Sequence, residues 1–442
     1  MLRASFGILA LGMTTWLVGG AVLSAEQYLG QTKANQHNFL VVWSGVLTVS
    51  FISAAIFWLI QAGNLVELAG TSALNLDDVL EQVRMSENFL TDFYALLLVL
   101  MLILGGLKVF GESNDLKMAR ILSGAPAIVI WLAVLALASY SNLRIVQADV
   151  AFKTAELFAQ PKSWPVAIAI YQRANELAPK EDYYYLFLGR AYLEHAKSIP
   201  DPNQNQALIT MAARDLKKAQ ALNPLNTDHS ANLARLYSMW ASTTDQSDKK
   251  LEYARASEAY FEQALNLSPM NARLWNEWAA FYLTILDQPD QAYECIQKAL
   301  ELDSSYDWTY ALLGDYYNRM AYEHTSDELA MRQSLENASR AYQTALLKVQ
   351  PENTQYQFSY ALALGSIQSQ LQQWDAADQS FRLALNLAQN GEQWRVYEAL
   401  SLLSFRKGEK DLAQLYANQA LEIAPEEVEG RLRQWLDDIS HE

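Results

Sequence analysis

From about Ile145 onward, apolar side chains recur three and four residues apart, the spacing of one face of an α-helix. Several of these stretches end alike. "AIYQRANELAP" stops at Pro179, "RDLKKAQALNP" at Pro224, "AYFEQALNLSP" at Pro269 and "LYANQALEIAP" at Pro425. Proline cannot continue a helix, so each marks a stop. A chain that repeats one helix ending in this way predicts a repeated helical unit. Ahead of Arg144 the pattern changes. Apolar residues run on with few interruptions over 6–25, 39–60, 89–110 and 121–140. A run of about 20 such residues is long enough to cross a bilayer core. The expectation is therefore an all-α protein, with a four-span transmembrane region over 1–141 and a helical-repeat domain over 142–442.

Aligning backward from the helix endings resolves each unit into two halves. The first half wants a large residue, then a large and a small residue side by side, then an aromatic. Tyr185/Leu188/Gly189/Tyr192, Trp275/Trp278/Ala279/Tyr282 and Tyr310/Leu313/Gly314/Tyr317 fit it. The second half wants a small residue, an aromatic four positions on and Ala three beyond. Ala167/Tyr171/Ala174, Ser257/Phe261/Ala264, Ala338/Tyr342/Ala345 and Ala377/Phe381/Ala384 fit. Small residues let two helices approach closely, and aromatics fill the space between successive hairpins. One hairpin cannot bury its apolar face alone, so it must stack on neighbours.

These positions resemble the tetratricopeptide repeat (TPR) signature over roughly 145–425, in about seven units. The resemblance implies a right-handed α-solenoid of helix pairs. In the second, third and fifth units the half-signatures lie 11 or 12 residues farther apart than usual. The added material, "SIPDPNQNQ", "TTDQSDKK" and "EHTSDELAMRQ", predicts longer hairpin helices with polar tips, because about three extra turns would preserve the buried faces. The closing stretch "EEVEGRLRQWLDDISHE" suits a capping helix. The resemblance also implies a concave groove lined by first helices, with contacts often at their second, fifth, ninth, twelfth and thirteenth positions. Carried onto this chain, these include Tyr183, Arg190, Arg235, Asn276, Trp308, Asp315, Asn318 and Arg319. That polar and aromatic mix suits a protein or peptide segment. Trp308 and Arg235 are expected to be side chains that the fold itself does not need.

Charge narrows the choice of partner. The first 144 residues hold 7 Lys+Arg and 9 Asp+Glu, which leaves 26 and 40 of the total to the remainder. An acidic repeat domain repels phosphate backbones and argues against nucleic acid. Cys295 is the only cysteine, so neither an intramolecular disulfide nor a cysteine metal cage is possible. The five histidines, His37, His195, His229, His324 and His441, have no metal-ligand spacing, and no cofactor is implied. The chain carries no phosphate-loop, nucleophile-elbow or zinc-protease motif, which argues against an enzyme. Asp77-Asp78 reads as a solvated acidic helix start rather than a catalytic carboxylate pair.

A second resemblance rests on apolar runs leading directly into "NLRIVQADVAFKTAELFAQPKSWPVAIAIYQRANELAPKEDYYYLFLGRAYLE". This is similar to the C-terminal part of bacterial O-antigen ligase/polymerase-type proteins with TPR tails. Such enzymes have about ten or more spans and a large extracytoplasmic loop bearing Arg and His, which this chain lacks, so no residue is assigned glycosyl transfer. The first run also resembles a signal peptide, with Arg3 ahead of it and "VLSA" before Glu26. Lys108, Lys117 and Arg120 around the third loop place that loop in the cytoplasm and the repeat domain outside it. Two functions are expected from these features. One is a scaffold anchored in the lipid bilayer of the bacterial inner membrane, joining protein partners and linked to cell-surface polysaccharide synthesis. The other is the C-terminal portion, or a degenerate relative, of a glycan ligase.

Overall fold

The computed structural model describes residues 143–441 apart from 161, 162, 324 and 390, together with 75–89 and isolated positions between 48 and 95. The described residues are helical and fall into two compact units, Met1–Pro200 and Asp201–Glu442. In the first unit, helix 76–89 accompanies α1 (Arg144–Phe158), α2 (Trp164–Leu177) and α3 (Asp182–Lys197). The second unit begins with α4 (Pro202–Leu222) and continues with α5 (Thr227–Thr243), α6 (Ser247–Leu267) and α7 (Ala272–Phe281). A π-helical turn, Tyr282–Leu286, extends α7. Then follow α8 (Pro289–Leu302), α9 (Asp307–Glu323), α10 (Glu328–Lys348), α11 (Thr354–Gln370), α12 (Trp374–Leu387), α13 (Gln393–Arg406), α14 (Lys410–Ile423) and α15 (Glu426–His441). Consecutive helices pack as antiparallel hairpins, α5 on α6 through α13 on α14.

The expected four-span region is corrected. Among the described residues no helix is long and apolar enough to cross a membrane. Runs 6–25 and 121–140 lie outside the described residues, and 39–60 and 89–110 are described only in part. The continuous helix described upstream of the repeats, 76–89, is too short to span. It also carries Asp77, Asp78, Glu81, Arg84 and Glu87, charges that hydrocarbon would not solvate. The inner-membrane location, the extracytoplasmic placement of the repeats and the bilayer as a partner fall with it. Asp77-Asp78 opens this helix as an acidic turn. Asn75 Oδ1 accepts the Asp78 N–H at 2.9 Å, and Asp78 Oδ2 accepts the Asn75 N–H at 3.3 Å.

Local chemistry starts the repeat helices in the same way. Asp201, Asn226, Asn271 and Asp327 each accept a backbone N–H of the first turn of α4, α5, α7 and α10. The buried face of each second helix repeats one triplet at spacings of four and three. It reads Leu216 between Ala212 and Ala219 in α4, Phe261 between Ser257 and Ala264 in α6, and Ile296 between Ala292 and Ala299 in α8. In α10, α12 and α14 it is Tyr342, Phe381 and Ala417 between alanines. Helices α4, α6 and α10 have 21 residues each, whereas α8, α12 and α14 have 14. Seven residues make nearly two turns, so the extension returns to the same face. Its seven residues, 202–208, 247–253 and 328–334, are exposed or half-buried apart from Ser334, and each extension leads into a buried residue, Ile209, Ala254 or Leu335, seven positions ahead of the middle residue of its triplet. The inserted polar segments are thus mostly the first turns of longer second helices.

The π turn has an equally local cause. Asp287, Gln372 and Gly408 occupy the left-handed corner between first and second helices at φ 54°, 60° and 81°. Each precedes the first small residue of the next triplet, Ala292, Ala377 or Ala413, by five positions. From the small first-helix residue to this corner, Gly365–Gln372 and Ser401–Gly408 span seven positions, whereas Ala279–Asp287 spans eight. One extra residue in an otherwise helical segment is absorbed by widening one turn, which is the origin of a π-bulge. At the far end α15 packs Ile439 against Ala413 and Ala417, with Phe405 and Trp435 alongside. Trp435 Nε1 donates to Ser401 Oγ at 2.9 Å.

Candidate functional site

The first helices of the second unit are joined by a chain of polar contacts that runs from one to the next. Arg235 on α5 donates to both oxygens of Glu277 on α7, at 2.7 and 2.9 Å, and Arg273 donates to the same carboxylate at 3.0 Å. Asn276 on α7 donates to Thr309 Oγ1 on α9 at 2.7 Å, and Arg319 on α9 returns to Asp287 at 2.7 Å. Tyr360 on α11 donates to Asp307 at 3.0 Å, and Arg406 on α13 donates to Ser369 on α11 at 3.2 Å. These helices therefore share one polar surface, α5 through α13.

Six of the eight residues singled out in the sequence lie in this unit, though not in equivalent surroundings. Arg235 is half-buried, and Glu277 beneath it is 11% exposed. Asn276 is fully buried between α7 and α9. Trp308 packs against the buried clusters on both of its sides, one built around Phe261, Phe281 and Ile296 and the other around Tyr342, Tyr360 and Leu364. The fold thus uses both Trp308 and Arg235, against the expectation that it would not need them. Asp315 is exposed to solvent on α9. Desolvation raises its pKa, opposed by the hydrogen bond from the Tyr342 hydroxyl. Arg319 is exposed beside Asp287 and Glu323. Asn276 and Asn318 each keep a buried side-chain oxygen with no hydrogen-bond partner among the described residues.

Tyr183 and Arg190 belong to the first unit, on α3. Tyr183 joins an aromatic cluster with Phe152 and Phe187, at ring separations of 5.0 and 4.6 Å, and the Arg190 guanidinium lies 5.1 Å from the Phe187 ring. Arg273 is a member of the polar surface that was not singled out, although it holds the same second position as Trp308. Glu277 falls outside the five positions considered. Asp287 had no signal except its place at a left-handed corner. Among the described residues no group of His, Cys, Asp or Glu could hold a metal ion.

Helix pairs of this length, with a small residue in the first helix under an aromatic from the second, decide the architecture. The fold is TPR-like. The sequence matches no family model and no curated protein. Solved structures with similar folds include the human IFIT1 dimer with m7Gppp-AAAA, 16% identical, covering 66% of this chain and 62% of that one at a TM-score of 0.50. A thermophilic TPR protein of Thermus thermophilus is 19% identical over 49% of this chain and 98% of its own, at 0.39. A tetratricopeptide repeat protein of Parabacteroides merdae is 12% identical over 66% and 98%, at 0.44. None of these three is an O-antigen ligase or polymerase, and that resemblance gains no support from them. The TPR-like scaffold is consistent with protein–protein interaction, and its polar first-helix surface offers no nucleophile–base pair within the contacts described.

Proposed function

We propose that this chain is an interaction scaffold that receives an extended protein or peptide segment along the first-helix surface of its second unit. The supporting observation is the series of polar contacts that joins successive first helices, Arg235 to Glu277, Asn276 to Thr309 and Tyr360 to Asp307. Around them Arg273, Arg319 and Asp315 offer donors and an acceptor that a peptide backbone and its polar side chains can meet. Arginine and tryptophan are the residue types most often dominant at such interfaces. The sequence resemblance to O-antigen ligases points to a partner in cell-surface polysaccharide synthesis.

Arg273→Glu combined with Arg319→Glu tests the reading. Both side chains are more than 40% exposed, so losing their ion pairs alters stability by only about 0–1 kcal/mol. A photo-crosslinking residue at Ser366 on α11, which follows Gly365 as Asp315 follows Gly314, should capture a partner that the same residue at Lys298 on α8 does not. The double substitution should weaken that capture while leaving the melting temperature nearly unchanged. Deleting 201–206, the cap and first turn of α4, tests the elongated tips as a competing surface. If that deletion abolishes capture and the double substitution does not, the first-helix surface is not the site.

A further inference from the structure

Helix 76–89 presents a single buried stripe. Val79, Val83 and Glu87, four residues apart, are 8%, 2% and 3% exposed, while Asp77, Glu81, Arg84 and Asn88 on the other side face solvent. The third member of that stripe is a carboxylate. Glu87 meets Arg173 on α2, with Nη2 at 3.0 Å from one oxygen and Nε at 3.4 Å from the other. Gln147 on α1 donates to the Glu87 carbonyl at 3.4 Å and to the Thr91 hydroxyl at 3.1 Å. Both helices of the first pair therefore lend a polar side chain to a segment that precedes them by 60 and 86 residues.

We propose that the first helix pair carries a helix-receiving site, occupied in cis by residues 76–89, and that the Glu87–Arg173 pair is the latch that closes it. Among the described contacts Glu87 is the member of the stripe that meets the first helix pair, so its carboxylate decides whether the helix docks. A desolvated carboxylate is unfavourable until a guanidinium meets it, and breaking such a pair from one side leaves an uncompensated buried charge. Docking is therefore closer to all-or-none than graded. The site reads a helix through the carboxylate that Arg173 meets and the backbone carbonyl that Gln147 meets. Opening it uncovers Arg173 and Gln147, the two side chains with which it reads such a helix. This site is separate from the first-helix surface of the second unit and stands or falls independently of the function proposed above.

Hydrogen exchange of the full chain, read by mass spectrometry, tests the latch. Glu87→Gln and Arg173→Gln should each speed exchange of the amides in 77–89 about tenfold or more, as expected for a locally opened segment. Amides of α5 through α14 should stay unchanged, which distinguishes release from unfolding. The charge swap, Glu87→Arg with Arg173→Glu, should restore slow exchange. A synthetic peptide of residues 74–92, added to the Glu87→Gln chain, should slow exchange around Arg173. The proposal is overturned if 77–89 already exchanges at the unstructured rate in the native chain, if neither single substitution changes it, or if the swap fails to recover it. It is also overturned if native protection rises with protein concentration, because the occupant would then come from a second copy.

Discussion

Gly365 on α11 lies directly beneath the Phe381 ring of α12. A Cβ built there would stand 2.6 Å from two ring carbons and 3.1 Å from a third. Carbon atoms in contact sit at about 3.5–4.0 Å, so Gly365→Ala forces the ring or the helix to give by roughly 1 Å. Phe381 is 1% exposed, between Ala377 and Ala384 at 0%, so the ring has nowhere to go. Overpacking of this kind costs about 1–3 kcal/mol or more. Alanine in place of a mid-helix glycine returns about 0.5–1 kcal/mol through backbone entropy. The net expectation is a loss of about 1–2 kcal/mol, and the sign separates the two effects. Gly430 on α15 supplies the control, because a Cβ there meets nothing within 4 Å. Gly430→Ala should therefore stabilise by about 0.5–1 kcal/mol. Urea unfolding followed by circular dichroism measures both, with the slope checked because long repeat arrays can lose two-state behaviour. Phe381→Leu combined with Gly365→Ala should lose less than the two single changes summed, by about 1–2 kcal/mol of coupling. A Gly365→Ala chain as stable as the Gly430→Ala control would refute the close approach of α11 and α12. Gly314 beneath Tyr342, at 2.7 Å, should behave like Gly365.

Other outcomes follow from the corners, the core and the π turn. Gln372 holds a left-handed corner at φ 60°, so Gln372→Gly should stabilise by about 1 kcal/mol and Gly408→Ala should destabilise by a similar amount, read by urea midpoints. Deleting Thr284, an exposed residue of the π turn, should leave a folded helical chain, because it restores the seven-residue spacing seen at Gly365–Gln372; loss of the helical signal would show that the extra residue is needed. Burial pushes the Cys295 thiol up to about 12, so iodoacetamide at mildly alkaline pH should modify it only after unfolding. Cys295, Tyr171 and Tyr184 all hold their protons more tightly when folded, chiefly through desolvation. Their contribution is therefore fully present below about pH 9 and lost as pH rises toward 12, which a series of melts across that range would show.

Periodicity alone determined a good deal of this protein. The triplets around Tyr171, Phe261, Tyr342 and Phe381 were legible because a helix repeats its face every three to four residues, whatever surrounds it. The lengthened hairpins were legible for the same reason. An insertion that keeps a face buried must come close to whole turns, and the buried face of the longer helices starts at Ile209, Ala254 and Leu335, directly after the added residues. Periodicity does not say how neighbouring helices treat a position once its face is assigned. Asn276 and Asp315 are both positions expected to face a groove, yet one is sealed under Thr309 and the other is open to water. Trp308, partly buried, touches the cores of two repeats because hairpin stacking brings both against it. The apolar runs ahead of Arg144 predicted membrane spans from hydropathy, a property of composition, whereas no described helix is long and apolar enough to be one, and helix 76–89, between the second and third runs, is charged and docked. Tertiary structure alone decided that docking. Glu87 and Arg173 are 86 residues apart, and no local rule connects a carboxylate on one helix with the guanidinium that makes its burial tolerable.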